Sequence, residues 1–173
     1  GYSLGQRKIA LQRQNAAFPE HARWEYGGVM FATLNVPGGD NNARLPTEST
    51  VRTKRVNEWI TDTFRAARAQ SRGAVVLAMQ ANPWTFAGNA RKNYLEILST
   101  VARETQQFAG EVLLIHGDTH RYRMDNPLTD PRSGRALRNF TRIEVFGSPT
   151  VNWARITIKQ ENGRVRFEGA AGS

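Results

Sequence analysis

Two short runs, Ala74-Val75-Val76-Leu77-Ala78-Met79 and Glu111-Val112-Leu113-Leu114-Ile115, constrain the fold more than any other part of this chain. Both are strand-length and almost wholly apolar, the mark of a strand buried on both faces, because a half-exposed strand would alternate. Between them, residues 90–109 carry Tyr94, Leu95, Leu98, Val101 and Phe108 at helical spacing, and Gly110 stands where a helix would end. Ahead of them, residues 50–71 repeat Val51, Val56, Trp59, Ile60, Phe64 and Ala67 at intervals near three and four, opposite Arg52, Lys54, Arg55, Arg65 and Arg68. Buried strands joined through helices need crossover connections, so an α/β core is expected.

The flanks read differently. Residues 4–17 suit a helix with Leu4, Ile9, Leu11 and Ala16 inward, stopped by Pro19. Residues 23–26 and 29–36 read as antiparallel strands around Gly27-Gly28, and residues 37–42 collect turn formers at a strand end. Beyond the core, residues 140–146, 151–158 and 164–167 suggest a run of antiparallel hairpins. The expected architecture is a sheet packed on a second sheet with helices outside, as one domain over residues 1–173. Trp24, Trp59, Trp84 and Trp153 are mostly core candidates, with Trp84, which follows Pro83 in a loop, the most open to exposure.

The 173 residues are enough for one core, and the chain has no cysteine, so disulfides, thiolate nucleophiles and Cys-ligated zinc are excluded. No apolar stretch approaches the roughly 20 residues that cross a bilayer, and no signal-like segment is present; the compartment stays open. The first residue is Gly1 and the earliest methionine Met30, which suggests that a preceding segment was removed. A net charge of +9 makes phosphate-bearing partners, nucleic acid among them, chemically reasonable.

Only three histidines exist, His21, His116 and His120, and two of them fall in His116-Gly117-Asp118-Thr119-His120, directly after a buried strand. Residues two apart on an extended segment share a face, so His116, Asp118 and His120 can be metal ligands; alternatively the run is a polar turn in which Asp118 and Thr119 bond nearby backbone. Arg121, Arg123, Arg132, Arg135, Arg138 and Arg142 follow at once, either gripping phosphate through their guanidinium forks or forming a solvated loop. Asn35, Asn41 and Asn42 are cleft-lining candidates or simple turn formers, and His21 reads as an exposed or capping side chain.

The stretch VLLIHGDTH resembles the strand and motif that close the calcineurin-like metallophosphoesterase signature, usually Gly-His-x-His. Gly117 and His120 match that motif, and Asp118 stands where its first histidine would be. WEYGGVMFATLNVPGGDNN, the helix around Trp59, AVVLAMQANP and NFTRIEVFGSPTVNWARITI extend the similarity to a bacterial branch of the superfamily.

The resemblance implies a metallophosphoesterase-like β-sandwich flanked by helices, of which this chain is the carboxy-terminal portion. It implies a dinuclear centre of divalent transition metals, with manganese, iron or zinc fitting the ligand types, hydrolysing a phosphoester. His120 and Asp118 would be catalytic and metal-binding, His116 a further ligand, and Arg121, Arg123, Asn41, Asn42 and Gln80 would meet the substrate. The family's Asp-x-His, Gly-Asp-x-x-Asp and Gly-Asn-His motifs are not found, and Gln80 stands where a middle histidine is usual. The segment alone is therefore expected to lack the full site, and to associate with the missing half or with itself. The alternative from another class is a non-catalytic module holding nucleic acid or another polyanion through the basic helix and the arginine loop.

Overall fold

A computed structural model describes residues 9–172. Its main element is a seven-stranded mixed sheet in the order β1 (Gln12–Arg13), β2 (Ala22–Tyr26), β3 (Val29–Thr33), β4 (Ala74–Ala78), β5 (Glu111–His116), β7 (Phe140–Glu144), β6 (Arg123–Asp125). Strands β3, β4, β5 and β7 are parallel, while β1, β2 and β6 pair antiparallel at the two edges.

The two apolar runs lie where such runs must, as central strands, with Val75 opposite Val112 and Leu77 opposite Leu114. The helices α2 (Pro46–Ala69) and α3 (Leu95–Gln106) are the crossovers, and both lie on one face of the sheet. There Val56, Ile60 and Phe64 of α2 and Ile97 and Val101 of α3 close on Val75, Leu77, Val112 and Leu114. Burying each such side chain contributes about 1.5–3 kcal/mol. Pro46, at the first turn of α2, starts that helix four residues earlier than the apolar repeat predicts, because proline gives up no hydrogen bond there. Val51, counted with the inward residues, lies on the exposed side. Residues 92–94 form a 3-10 turn before α3, shortening the second predicted helix at both ends.

On the opposite face lies the hairpin of β8 (Ala154–Glu161) and β9 (Arg164–Ala171), which packs Val165, Ile156, Ile158 and Phe167 toward Val29, Val76, Leu113 and Ile143. The predicted tail of successive hairpins is corrected in one respect. Strand β7 belongs to the main sheet, parallel to β5, because its Phe140 and Ile143 each have a buried apolar face to fill.

The predicted amino-terminal helix is also corrected over the described residues. Residues 9–17 are extended and turn structure, since Gln12 and Arg13 pair with β2 and the side chain of Asn15 accepts the backbone N–H groups of Ala17 and Phe18 at 2.9 and 3.2 Å. The part at residues 4–8 lies outside the described residues. His21 is fully buried rather than exposed, stacked on Phe18 and bonded through Nδ1 to Gln14 at 2.6 Å. Trp153 is half-exposed, not a core residue.

Candidate functional site

Each parallel strand ends at the same edge of the sheet, and the loops leaving β3, β4, β5 and β7 meet there. After β3, the short element α1 (Gly38–Asn41) contains a left-handed turn, with φ of 61° at Gly39, 63° at Asp40, 56° at Asn41 and 55° at Asn42. Glycine, aspartate and asparagine are the residues that enter this region most readily, which is why this composition can make the turn.

The HGDTH loop after β5 is also left-handed, at Asp118 (φ 83°) and His120 (φ 60°). Such conformations cost about 1–3 kcal/mol each for non-glycine residues and persist only when the surroundings hold them. The restraints are visible. One oxygen of Asp118 accepts the backbone N–H of Asn82 at 3.1 Å and the other accepts Nε2 of Gln80 at 3.3 Å. Gln80 in turn accepts the N–H of Gly38. A Cβ at Gly38 would come within 2.6 Å of the Asp118 carboxylate, so glycine is what lets the three loops close.

His120 is exposed, and its Nδ1 contacts the carbonyl of Ser148, which can only accept, so Nδ1 carries a proton and donates it there. The His120 ring lies so close to Gly147 that any side chain there would overlap it.

His116 is a different kind of residue. It is buried, with Nδ1 bonded to the Gly117 carbonyl at 2.9 Å, and burial lowers its pKa against the opposing pull of that carbonyl and of Glu144. It faces Glu144 in register across β5 and β7, with Arg123 facing Glu144 from the other side. Arg123 Nε stands 3.7 Å from Glu144 Oε2, and Thr119 donates its hydroxyl to Oε1. One row along, buried Arg142 forms a two-point ion pair with Asp125 and lies 4.8 Å beneath Trp84. Trp84, the tryptophan most open to exposure from its place after Pro83, is buried with the core, and buried Arg142 is not placed to grip a phosphate. The side chain of Asn82 accepts the Trp84 N–H at 3.1 Å and turns the indole inward over His116, Phe140 and Arg142.

Of the other predicted residues, Asn41 is buried, giving its amide to Thr53 and Asn93 and its carbonyl oxygen atoms to Arg52. Asn42 bonds Glu48 at 2.9 Å. Arg121 and Arg123 both stand over the ring of Phe86, at 5.4 and 5.9 Å. Sequence reasoning passed over Glu144 and Phe86; alternation along β7 from Phe140 through Arg142 was the available signal for a buried Glu144, whereas nothing in the sequence marked Phe86.

The structure thus brings Gln80, Asp118 and His120 to one edge and sets His116 beneath it. Among the described residues, no three histidine, cysteine or acidic side chains gather as metal ligands, so these residues do not by themselves fit a two-metal centre.

No protein-family model matches the chain, and no curated protein matches it either. Among the described residues no helix is long and apolar enough to cross a membrane.

Proposed function

We propose that this chain supplies one side of a metal-dependent phosphoesterase site, the side carrying Asp118, His120 and Arg121, in a metallophosphoesterase-like fold whose remaining ligands lie outside the described residues. The observation that carries this reading is the loop after β5, which holds two non-glycine residues in left-handed conformation at the carboxyl ends of four parallel strands, with glycines at 38 and 147 admitting Asp118 and His120. Ligand sites favour this edge in α/β sheets, and strained residues cluster at sites of function.

Each residue has a distinct chemical part. His120 offers the Nε2 lone pair to a divalent ion or a proton, with Ser148 fixing the ring. Asp118 offers a carboxylate already oriented by Asn82 and Gln80. Arg121 is exposed beside His120, free to meet a phosphate oxygen. Manganese, iron or zinc suits imidazole and carboxylate donors.

The polyanion-binding alternative has less behind it. The arginines of α2 are paired: Arg52 with Glu48, Arg55 with Glu58, Arg65 with Asp62 and Arg68 with Glu104. A helix neutralised in this way offers a weak electrostatic track.

The test is hydrolysis of a phosphoester by the full-length gene product with and without added manganese. Activity that needs the ion and falls at least about a hundredfold in His120→Ala supports the reading. Activity indifferent to both chelator and substitution overturns it.

A further inference from the structure

Phe86 is 80% exposed, although it sits on a loop that is otherwise tightly built. Trp84 and Ala90 pair across the loop, Thr85 N–H reaches Asn89 O at 2.8 Å, Gly88 N–H reaches Thr85 O at 3.0 Å, and Asn89 N–H reaches Thr85 Oγ1 at 3.1 Å. Arg91 bonds the carbonyl of Trp84 at 3.0 Å and closes the base. Its first residues are fixed to the HGDTH loop, since Asn82 bonds both Asp118 and Thr119, at 3.1 and 3.4 Å. The phenyl ring is thus held out into solvent on a fastened tip, where it adds nothing to the core.

Single exposed apolar residues are common and need no special explanation. The surroundings of Phe86 set it apart. Arg121 and Arg123, from the segment following His120, both place their guanidinium carbons within 6 Å of its ring, at 5.4 and 5.9 Å. Arg123 is anchored from behind by Glu144, 3.7 Å away, while Arg121 is exposed. An aromatic platform and a free guanidinium therefore stand side by side, next to His120.

We infer that Phe86, Arg121 and Arg123 form a substrate-binding subsite for phosphoesters whose alcohol portion carries a planar aromatic ring, of which a nucleotide is the fitting example. The ring stacks on the exposed Phe86 while Arg121 turns from it to pair with the phosphate and Arg123 keeps the platform in place. This inference rests on the proposed phosphoesterase reading for its substrate chemistry, but it concerns binding and needs no metal.

The experiment is calorimetric titration of the full-length gene product, in chelator, with adenosine 5′-monophosphate and with ribose 5-phosphate, which lacks the ring. The nucleotide should bind at least about fivefold more tightly, as expected of base–aromatic stacking. Phe86→Ala should erase that margin, Phe86→Trp should retain it, and Arg121→Ala should weaken both ligands. Equal affinity for the two ligands, a margin that survives Phe86→Ala, or no binding of either ligand overturns the inference. A nucleotide margin in a protein that hydrolyses nothing would defeat only the phosphoesterase reading; metal-dependent hydrolysis without the margin would defeat only this one.

Discussion

Thr119 donates its hydroxyl to the buried carboxylate of Glu144, tying the strained loop after β5 to the last residue of β7. Removing that hydroxyl leaves a fully buried carboxylate oxygen without its donor. Thr119→Val should lower unfolding free energy by about 1.5–3 kcal/mol, the usual range for a hydrogen bond to a charged group, and Thr119→Ser should stay close to the parent. Urea unfolding of both variants measures the difference.

Arg142 is wholly buried and depends on Asp125 for its counter-charge. Asp125→Ala should destabilise the fold by about 3 kcal/mol or more, because it strands a buried cation. Adding Arg142→Met, which can still pack under Trp84, should recover part of that loss. A double variant no better than Asp125→Ala in urea unfolding would mean that the arginine is not the source of the cost.

Gly38 lies against both Asp118 and Gln80. Gly38→Ala should cost about 1–3 kcal/mol through overpacking and should move the Asp118 carboxylate. The Gln80 side-chain amide signals, followed by NMR, report that movement directly; unchanged signals would show that the loops can yield without disturbing Asp118.

Burial lowers the pKa of His21 below its ordinary value of 6.5, with Glu20 pulling it upward and Arg52 pushing it further down. The unfolded chain therefore takes up a proton that the folded chain resists, and stability present at neutral pH is lost as the pH falls below about 6.5. His116 shifts in the same direction. The urea midpoint should drop between about pH 7.5 and pH 5.5, and it should drop less in His21→Gln. Equal drops in the two proteins would remove His21 from the account.

The legibility of the fold followed how local each cause was. The buried strands β4 and β5 and the repeats of α2 and α3 carry their pattern within a few turns of chain, and residues 74–79 and 111–115 mark the sheet centre unaided. Residues 9–17 fold by pairing with β2 and by the Asn15 side chain, so their helix-like order of polar and apolar residues misled. Strand β7 reads like a hairpin strand because its partner, β5, is distant in sequence. The run after β5 was legible as a loop at a strand end, and its contacts with Gln80 and Asn82 were not, because they join loops distant in sequence. The inward turn of Trp84 and the burial of Arg142 depend on a three-dimensional match between Asn82, Asp125 and the β7 face, which no spacing expresses.

The central claim is that Asp118 and His120 serve a metal-dependent phosphoesterase. Elemental analysis of the purified full-length gene product, beside its His120→Ala variant, tests it most directly. The account predicts bound transition metal in the parent, near two ions per molecule, and a clear loss of metal in the variant at unchanged fold. Metal-free parent protein, or equal metal in both, would contradict it.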